Sequence, residues 1–199
     1  MAIVNGYTDL ASVKKALRVD DAIDDALIER AIEAASRRID DETGRRFWAD
    51  PTPVARLYSP IDGEVLIVND IATTTALTIA VDSNGDGTFA KTLTSSEYQL
   101  EPLNAVADGE PFQSIRAIGT IWPQLPRNRA SVRVTATFGW ATVPHTIREA
   151  CVLLASRHFK RLDSPLGVAG FGDMGAIMVR RLDPDVAALL EPKKRYTVV

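Results

Sequence analysis

Asp24-Asp25-Ala26-Leu27-Ile28-Glu29-Arg30-Ala31-Ile32-Glu33-Ala34-Ala35-Ser36-Arg37-Arg38-Ile39-Asp40-Asp41-Glu42-Thr43-Gly44 is the stretch on which the fold class turns. Leu27, Ile28, Ala31, Ile32, Ala35 and Ile39 recur at helical period and make one narrow apolar stripe. Asp24 and Asp25 suit the positive end of a helix, and Gly44 supplies a left-handed stop. Burial of Leu27, Ile28, Ile32 and Ile39 is expected to contribute about 1.5–3 kcal/mol each. The other face, with Glu29, Arg30, Glu33, Arg37 and Asp40, is expected to stay wet or meet a neighbour. Upstream, Thr8 or Asp9 is positioned to cap a short helix reaching Leu17, with Leu10, Val13 and Leu17 on one face.

Downstream, from Pro51, the apolar period changes from 3.6 to two. Strands are expected at Arg56–Tyr58, Glu64–Val68, Ala76–Val81, Thr88–Leu93, Tyr98–Leu100, Ile115–Ile118 and Ser131–Phe138. Turn pairs such as Asp62-Gly63, Asn84-Gly85 and Asp108-Gly109 separate them. Frequent turns between short strands predict a β-sandwich or small barrel. Helix returns at Pro144, where Ile147, Cys151, Leu154, His158 and Arg161 lie near one stripe. A glycine-rich loop at Gly167–Gly175 then leads to a short strand at Ala176–Arg180. Asp183-Pro184-Asp185 caps a last helix ending at Pro192, and the basic tail Lys193-Lys194-Arg195-Tyr196 follows.

The expected fold is therefore α+β: a helical bundle carrying a β-sandwich or small-barrel insertion. Residues 1–50 would form the first helical part and 51–142 the insertion. Residues 143–163 would complete the bundle with a long helix, and 164–199 would hold the loop, strand, short helix and tail.

Composition excludes several classes. The chain has 199 residues, 46% hydrophobic and 25% charged, which is ordinary globular usage and enough for an unstapled core. A lone cysteine, Cys151, excludes an intramolecular disulfide framework or a Cys-clustered zinc site. Ile71–Val81 is too short to span a bilayer, and MAIVNGYTDL carries no basic region before an apolar run, so neither membrane nor secretory signal is expected. Net charge is −3, unlike a basic nucleic-acid domain, yet residues 157–199 hold eight Lys/Arg against five Asp/Glu.

Four features invite chemistry. Asp82-Ser83-Asn84-Gly85-Asp86-Gly87 opens like a calcium loop, but its twelfth position is Leu93 rather than glutamate, and strands flank it; a hairpin turn fits better. Gly170-Phe171-Gly172-Asp173-Met174-Gly175 matches GxGxxG without the strand, helix and acidic ligand that a dinucleotide site needs. His145 and Glu149 share a helix face, but two ligands do not make a metal site. Cys151 sits among Val152, Leu153 and Leu154 as a small core residue, and no nucleophile or phosphate-loop motif is present. No catalytic residue, metal or cofactor is expected. Trp48, Trp122 and Trp140, at element edges, read as lids on a core or as interface anchors.

The order of landmarks resembles the head–tail connector (adaptor) proteins of long-tailed bacteriophages, in the form with a β insertion found in phages of actinobacteria. The resemblance rests on Ile32–Phe47, Val81–Thr88, Tyr98–Pro102, Phe138-Gly139-Trp140 through Ala150, Ser164–Gly172 and Asp183–Leu190. A departure is Glu191-Pro192-Lys193-Lys194-Arg195, where a tyrosine often follows the proline. The resemblance implies a non-enzymatic virion protein of the neck. It would assemble as a homo-oligomeric, typically dodecameric ring between the portal and the next neck or stopper protein. DNA would pass through its lumen without sequence-specific binding. Charged helix faces and the β insertion are expected at subunit contacts. Gly167, Gly170, Phe171, Gly172, Lys193, Lys194, Arg195 and Tyr196 are the candidate portal or neck interface, ordering on docking. Another neck or tail component, such as a stopper or terminator, is the alternative role; a calcium- or nucleotide-binding enzyme is the rival built on the two motif matches.

Overall fold

The stripe on Asp25–Thr43 folds as predicted into a 19-residue helix, α2, closed by Gly44 at φ +65°. The computed structural model describes residues 3–161 and 183–195. Ahead of α2, Leu10–Leu17 forms α1, whose N-cap Asp9 accepts a hydrogen bond from the Ser12 amide. His145–Lys160 forms α4 and Pro184–Leu190 forms α5, the latter capped by Asp183 through the Asp185 amide. The described residues divide into two compact units, one from positions 1–47 and 143–199 and the other from positions 48–142.

In the helical unit, α2 packs on α4, and α1 and α5 pack against both. Ile28, Ile32 and Ile39 of α2 and Ile147 of α4 are wholly buried at this contact layer. Leu27 departs from expectation: it is 38% exposed. It lies one residue from Ile28 and so about 100° around the helix, on the shoulder of the stripe. Arg37 and Asp40, expected on the wet face, instead pair with each other (Nε–Oδ2 3.1 Å) and engage Tyr7.

The second unit is a six-stranded antiparallel sheet in the order β1-β6-β2-β5-β4, with β3 paired to β2. The strands are β1 Val54–Tyr58, β2 Val65–Val81, β3 Lys91–Thr92, β4 Tyr98–Glu101, β5 Phe112–Ala117 and β6 Val132–Phe138. They form one sheet whose path ends at β1 and β4. Two of the expected strands prove to be one: β2 runs 17 residues without a break. It pairs β5 through Val65–Ile71 and β6 through Ile71–Val81, with register shifts on either side of Thr73 and Ala76 at φ +57°. Extra residues taken up as bulges bend a strand rather than end it, and this lets one strand serve two neighbours. The expected Thr88–Leu93 strand shrinks to two residues, because the Ala90 amide bonds the Thr88 carbonyl (3.0 Å) in a tight turn. A one-turn helix, α3 (Ala105–Asp108), stopped by Gly109, escaped the sequence reading.

Strand β6 alternates as expected, with Val132, Val134, Ala136 and Phe138 buried. With Leu66, Val68, Ile71, Ile79, Ile115 and Trp122 they form the core of this unit. Trp122 and Trp140 are core residues rather than surface anchors: each indole N–H is satisfied, by the Glu64 and Ile115 carbonyls and by Asp70 respectively. Gly139 is required where the chain leaves β6. Its φ is +113°, and a Cβ there would lie 1.9 Å from the Trp48 carbonyl oxygen.

Candidate docking surface

The residues that invited chemistry occupy structural roles. The Asp82 carboxylate is buried and accepts from the amides of Asn84 (3.2 Å), Gly85 (2.7 Å) and Gly87 (2.8 Å). Burial pushes its pKa up, but these amides and that of Asp86 outweigh it and hold the carboxyl below its ordinary range. Gly85 and Gly87 take positive φ, as a hairpin turn requires, and the segment closes on itself as a turn. Among the described residues no group of three or more His, Cys, Asp or Glu is placed to hold a metal ion. The GxGxxG stretch, Gly170–Gly175, lies outside the described residues.

Cys151 is wholly buried, 3.4 Å from Ser36 Oγ, and burial raises its thiol pKa, so it is a packing residue with little thiolate character. Ser36 Oγ also donates to the Ile32 carbonyl (2.8 Å) and accepts from the Tyr7 amide (3.1 Å). Sequence reasoning missed this corner. Tyr7 stacks edge-on against Phe47 (5.7 Å, 83°), donates its hydroxyl to Asp40 and accepts from the Phe47 amide at 2.9 Å. Burial, reinforced by the bond to Asp40, raises the tyrosine's pKa beyond the titratable range. Burial also raises that of Asp40, against the lowering pull of the Tyr7 hydroxyl and Arg37. The arrangement ties the segment before α1 to the far end of α2. Only the bare presence of Tyr7 and Phe47 flanking the two helices signalled it.

His145 and Glu149 lie on an open groove of about 990 Å³ in the helical unit. Lys15 and Ser12 of α1, Arg148 and Val152 of α4, and Leu189 of α5 complete its main walls. His158 is held neutral-leaning: burial lowers its pKa first, then Arg161, Arg157 and Arg38.

Of the candidate interface residues, Gly167, Gly170, Phe171, Gly172 and Tyr196 lie outside the described residues. The other three are brought to the C-terminal end of α2. Lys193 closes a 3-10 turn, Glu191–Lys193, and Lys194 pairs with Glu191 at 2.6 Å. The Arg195 amide donates to the Thr43 carbonyl at 2.8 Å, so an open carbonyl at the end of α2 gains a donor. Arg45 and Arg46 follow α2 directly, and Arg195 Cβ lies 3.8 Å from where a Cβ on Gly44 would sit. The segment expected to order on docking is thus already held through Arg195.

Asp82, Cys151 and Tyr7 are tied into the fold, whereas His145 and Glu149 stand exposed on the groove. The molecule is an α+β protein. Residues 7–100 match the sequence model of the family described as phage gp6-like head-tail connector protein. No curated protein matches it in sequence. Solved structures share its fold. One is the neck of an empty gene transfer agent (GTA) particle computed with C6 symmetry, at 21% identity and TM-score 0.59, covering 100% of this chain and 95% of that one. Another is the neck of the native particle computed with C12 symmetry, at 19% and 0.59, covering 100% and 94%. A third, from the native GTA virion, aligns at 23% and 0.56, covering 100% and 95%. Among the described residues no helix is long and apolar enough to cross a membrane.

Proposed function

We infer that this head-tail connector is a non-catalytic adaptor of the virion neck. It forms a homo-oligomeric ring between the portal and the next neck protein and extends the DNA channel. The observation that carries the reading is the connector-family match over residues 7–100. The C6 and C12 symmetry of necks with the same fold favours a ring, and twelve copies is the number that agrees with both. A ring needs two different surfaces per subunit that close head to tail. An overall charge of −3 suits a conduit, because a lumen that gripped phosphates would retard DNA.

Lys193, Lys194 and Arg195, a basic run bonded to the end of α2 through the Arg195 amide, are the described part of the portal- or neck-facing contact. The test is co-sedimentation with the phage's portal ring, followed by negative-stain imaging. A stoichiometric ring added to the portal's tail-facing end is the expected result. Absence of binding with both proteins folded would overturn the adaptor role in favour of a stopper or terminator. K193A/K194A/R195A should weaken portal binding, and unchanged affinity would remove these residues from the contact.

A further inference from the structure

Helix α4 changes character along its length. After Glu149 it holds no carboxylate, and it finishes on Arg157, His158 and Lys160 with Arg161 directly behind. Cations in a last turn complement the helix dipole, but α2 adds another at the same place. Partial burial first, then the guanidiniums of Arg161, Arg157 and Arg38, hold the His158 imidazole below its ordinary range. Among the described residues no carboxylate of α1, α2, α4 or α5 acts on it. Arg38 is itself paired with Glu42. Lys160 and Arg161 are exposed and form no ion pair among the described residues. The unmatched charge here is therefore that of Lys160, Arg161 and, once protonated, His158. Arg38 and Glu42 lie in the last two turns of α2, and Arg38 is about 8 Å along the axis from Thr43, whose carbonyl accepts from the Arg195 amide.

We propose that the end of α4, built from His158, Lys160 and Arg161 beside Arg38 of α2, docks a carboxylate-rich face of the neck partner that the basic run Lys193–Arg195 meets. A surface whose unmatched charge is all positive selects an anionic partner. Continuity with the basic run says which one: Glu42, the partner of Arg38, is the neighbour of Thr43, so both basic stretches border one end of α2. A protein is favoured over DNA phosphate because a connector that gripped phosphates would retard the genome, whereas a docked ring must hold. His158 gives the contact its selectivity. Its imidazole is neutral in the free chain, and carboxylates laid against it would return the proton, so this charge is present only in the complex. The inference rests on the adaptor reading above.

The experiment measures retention of the whole chain on portal rings and on the next neck protein between about pH 5.5 and 8. K160E/R161E should weaken retention by the partner about tenfold or more. K160Q/R161Q, which adds no negative charge to the last turn, should weaken it by less. Circular dichroism and thermal melting establish that each variant is folded. Retention should tighten as pH falls, because the complex takes up a proton that the free chain does not hold. The gain is up to about tenfold for each unit by which the carboxylates raise the imidazole. H158Q should remove that dependence and leave the charge effect of Lys160 and Arg161 in place; a dependence that is absent, or that survives H158Q, would strike His158 from the surface. Retention indifferent to both double variants would overturn this surface and leave the adaptor reading standing. If K160E/R161E instead loses binding to duplex DNA while the partner is held as before, the surface is a phosphate site and the proposal is overturned. A parent chain held by neither the portal nor the next neck protein would overturn the adaptor reading and the surface with it.

Discussion

Replacing Gly139 with alanine should be among the most damaging single-methyl changes in the chain. The added Cβ would fall 1.9 Å from the Trp48 carbonyl oxygen, 2.8 Å from its carbonyl carbon and 3.0 Å from Ala49 Cα. All three are backbone atoms, so no side chain can swing aside. The two backbone segments must part by about an ångström, which strains two hydrogen bonds: Asp50 N–H to Phe138 O, across the contact, and Gly139 N–H to Asp70 O, which holds Gly139 to β2, both 2.7 Å. Weakening them costs about 0.5–1.5 kcal/mol each. Holding a Cβ-bearing residue at φ +113° adds about 1–3 kcal/mol. The sum, about 2–6 kcal/mol, corresponds to a Tm lowered by roughly 5–20 °C for a chain of this size. Gly87→Ala and Gly109→Ala are the controls: both sit at positive φ with nothing within 4 Å of the added carbon, so they report backbone strain alone. Differential scanning calorimetry of the three variants separates the effects. If G139A loses no more than the controls, the close approach of Trp48 to β6 is wrong.

Acid should destabilise the fold through two loop carboxylates. The Lys91 ammonium, then the Thr94 amide and hydroxyl, bring Glu97 to about 2, and its contribution is whole above an ordinary carboxylate pKa and drains as pH falls towards that value. Asp82 behaves in the same sense, so D82A and E97Q should each flatten the acid limb of a Tm-against-pH curve, and an unchanged limb would refute the assignment. Calcium or EDTA should leave the Tm of the parent protein unmoved, because a ligand of the folded state alone would raise it; a calcium-dependent rise would restore the metal reading of Asp82–Gly87. Cys151 should react with a thiol reagent only as the helical unit opens, and labelling at the rate of a free thiol would contradict its burial.

The helices and their caps were legible because each rests on local chemistry. Asp9, Asp183 and Gly44 stop or start helices by contacts within a few residues, and the structure has each in that role. Strand β6 was legible for the same reason, since period two against one core dictates which side of each residue is buried. What escaped depends on partners distant in sequence. The joining of Glu64–Val68 to Ala76–Val81 is decided by β5 and β6, which lie 30 or more residues away and take successive halves of β2. Nothing local marks Gly139 as needing space either, because the atoms that fill it belong to Trp48 and Ala49. The return of Arg195 to the end of α2 likewise needs a turn that brings residue 195 back to residue 43. The basic run itself was visible, but its position was not.

Leu27 shows how a misplaced residue carries information about function. Read by period it belongs with Ile28 and Ile32, and a stripe that wide would need a partner on two sides. The helical unit supplies the partner on one side, α4, and leaves Leu27 with Ile23 at the surface. A sequence selected only for the isolated fold gains nothing from isoleucine at an 86% exposed turn flanked by aspartates. A sequence selected for a ring does, because burial of these two side chains against another surface would add apolar area to the contact. The same logic sets an expected asymmetry: I23S should leave the Tm of the monomer unchanged while weakening assembly, whereas Ile28→Ser, one helical shoulder away and wholly buried, should unfold the helical unit. Equal effects of the two substitutions on monomer stability would mean that Ile23 is packed within its own chain, and the outer face of α2 would lose its role.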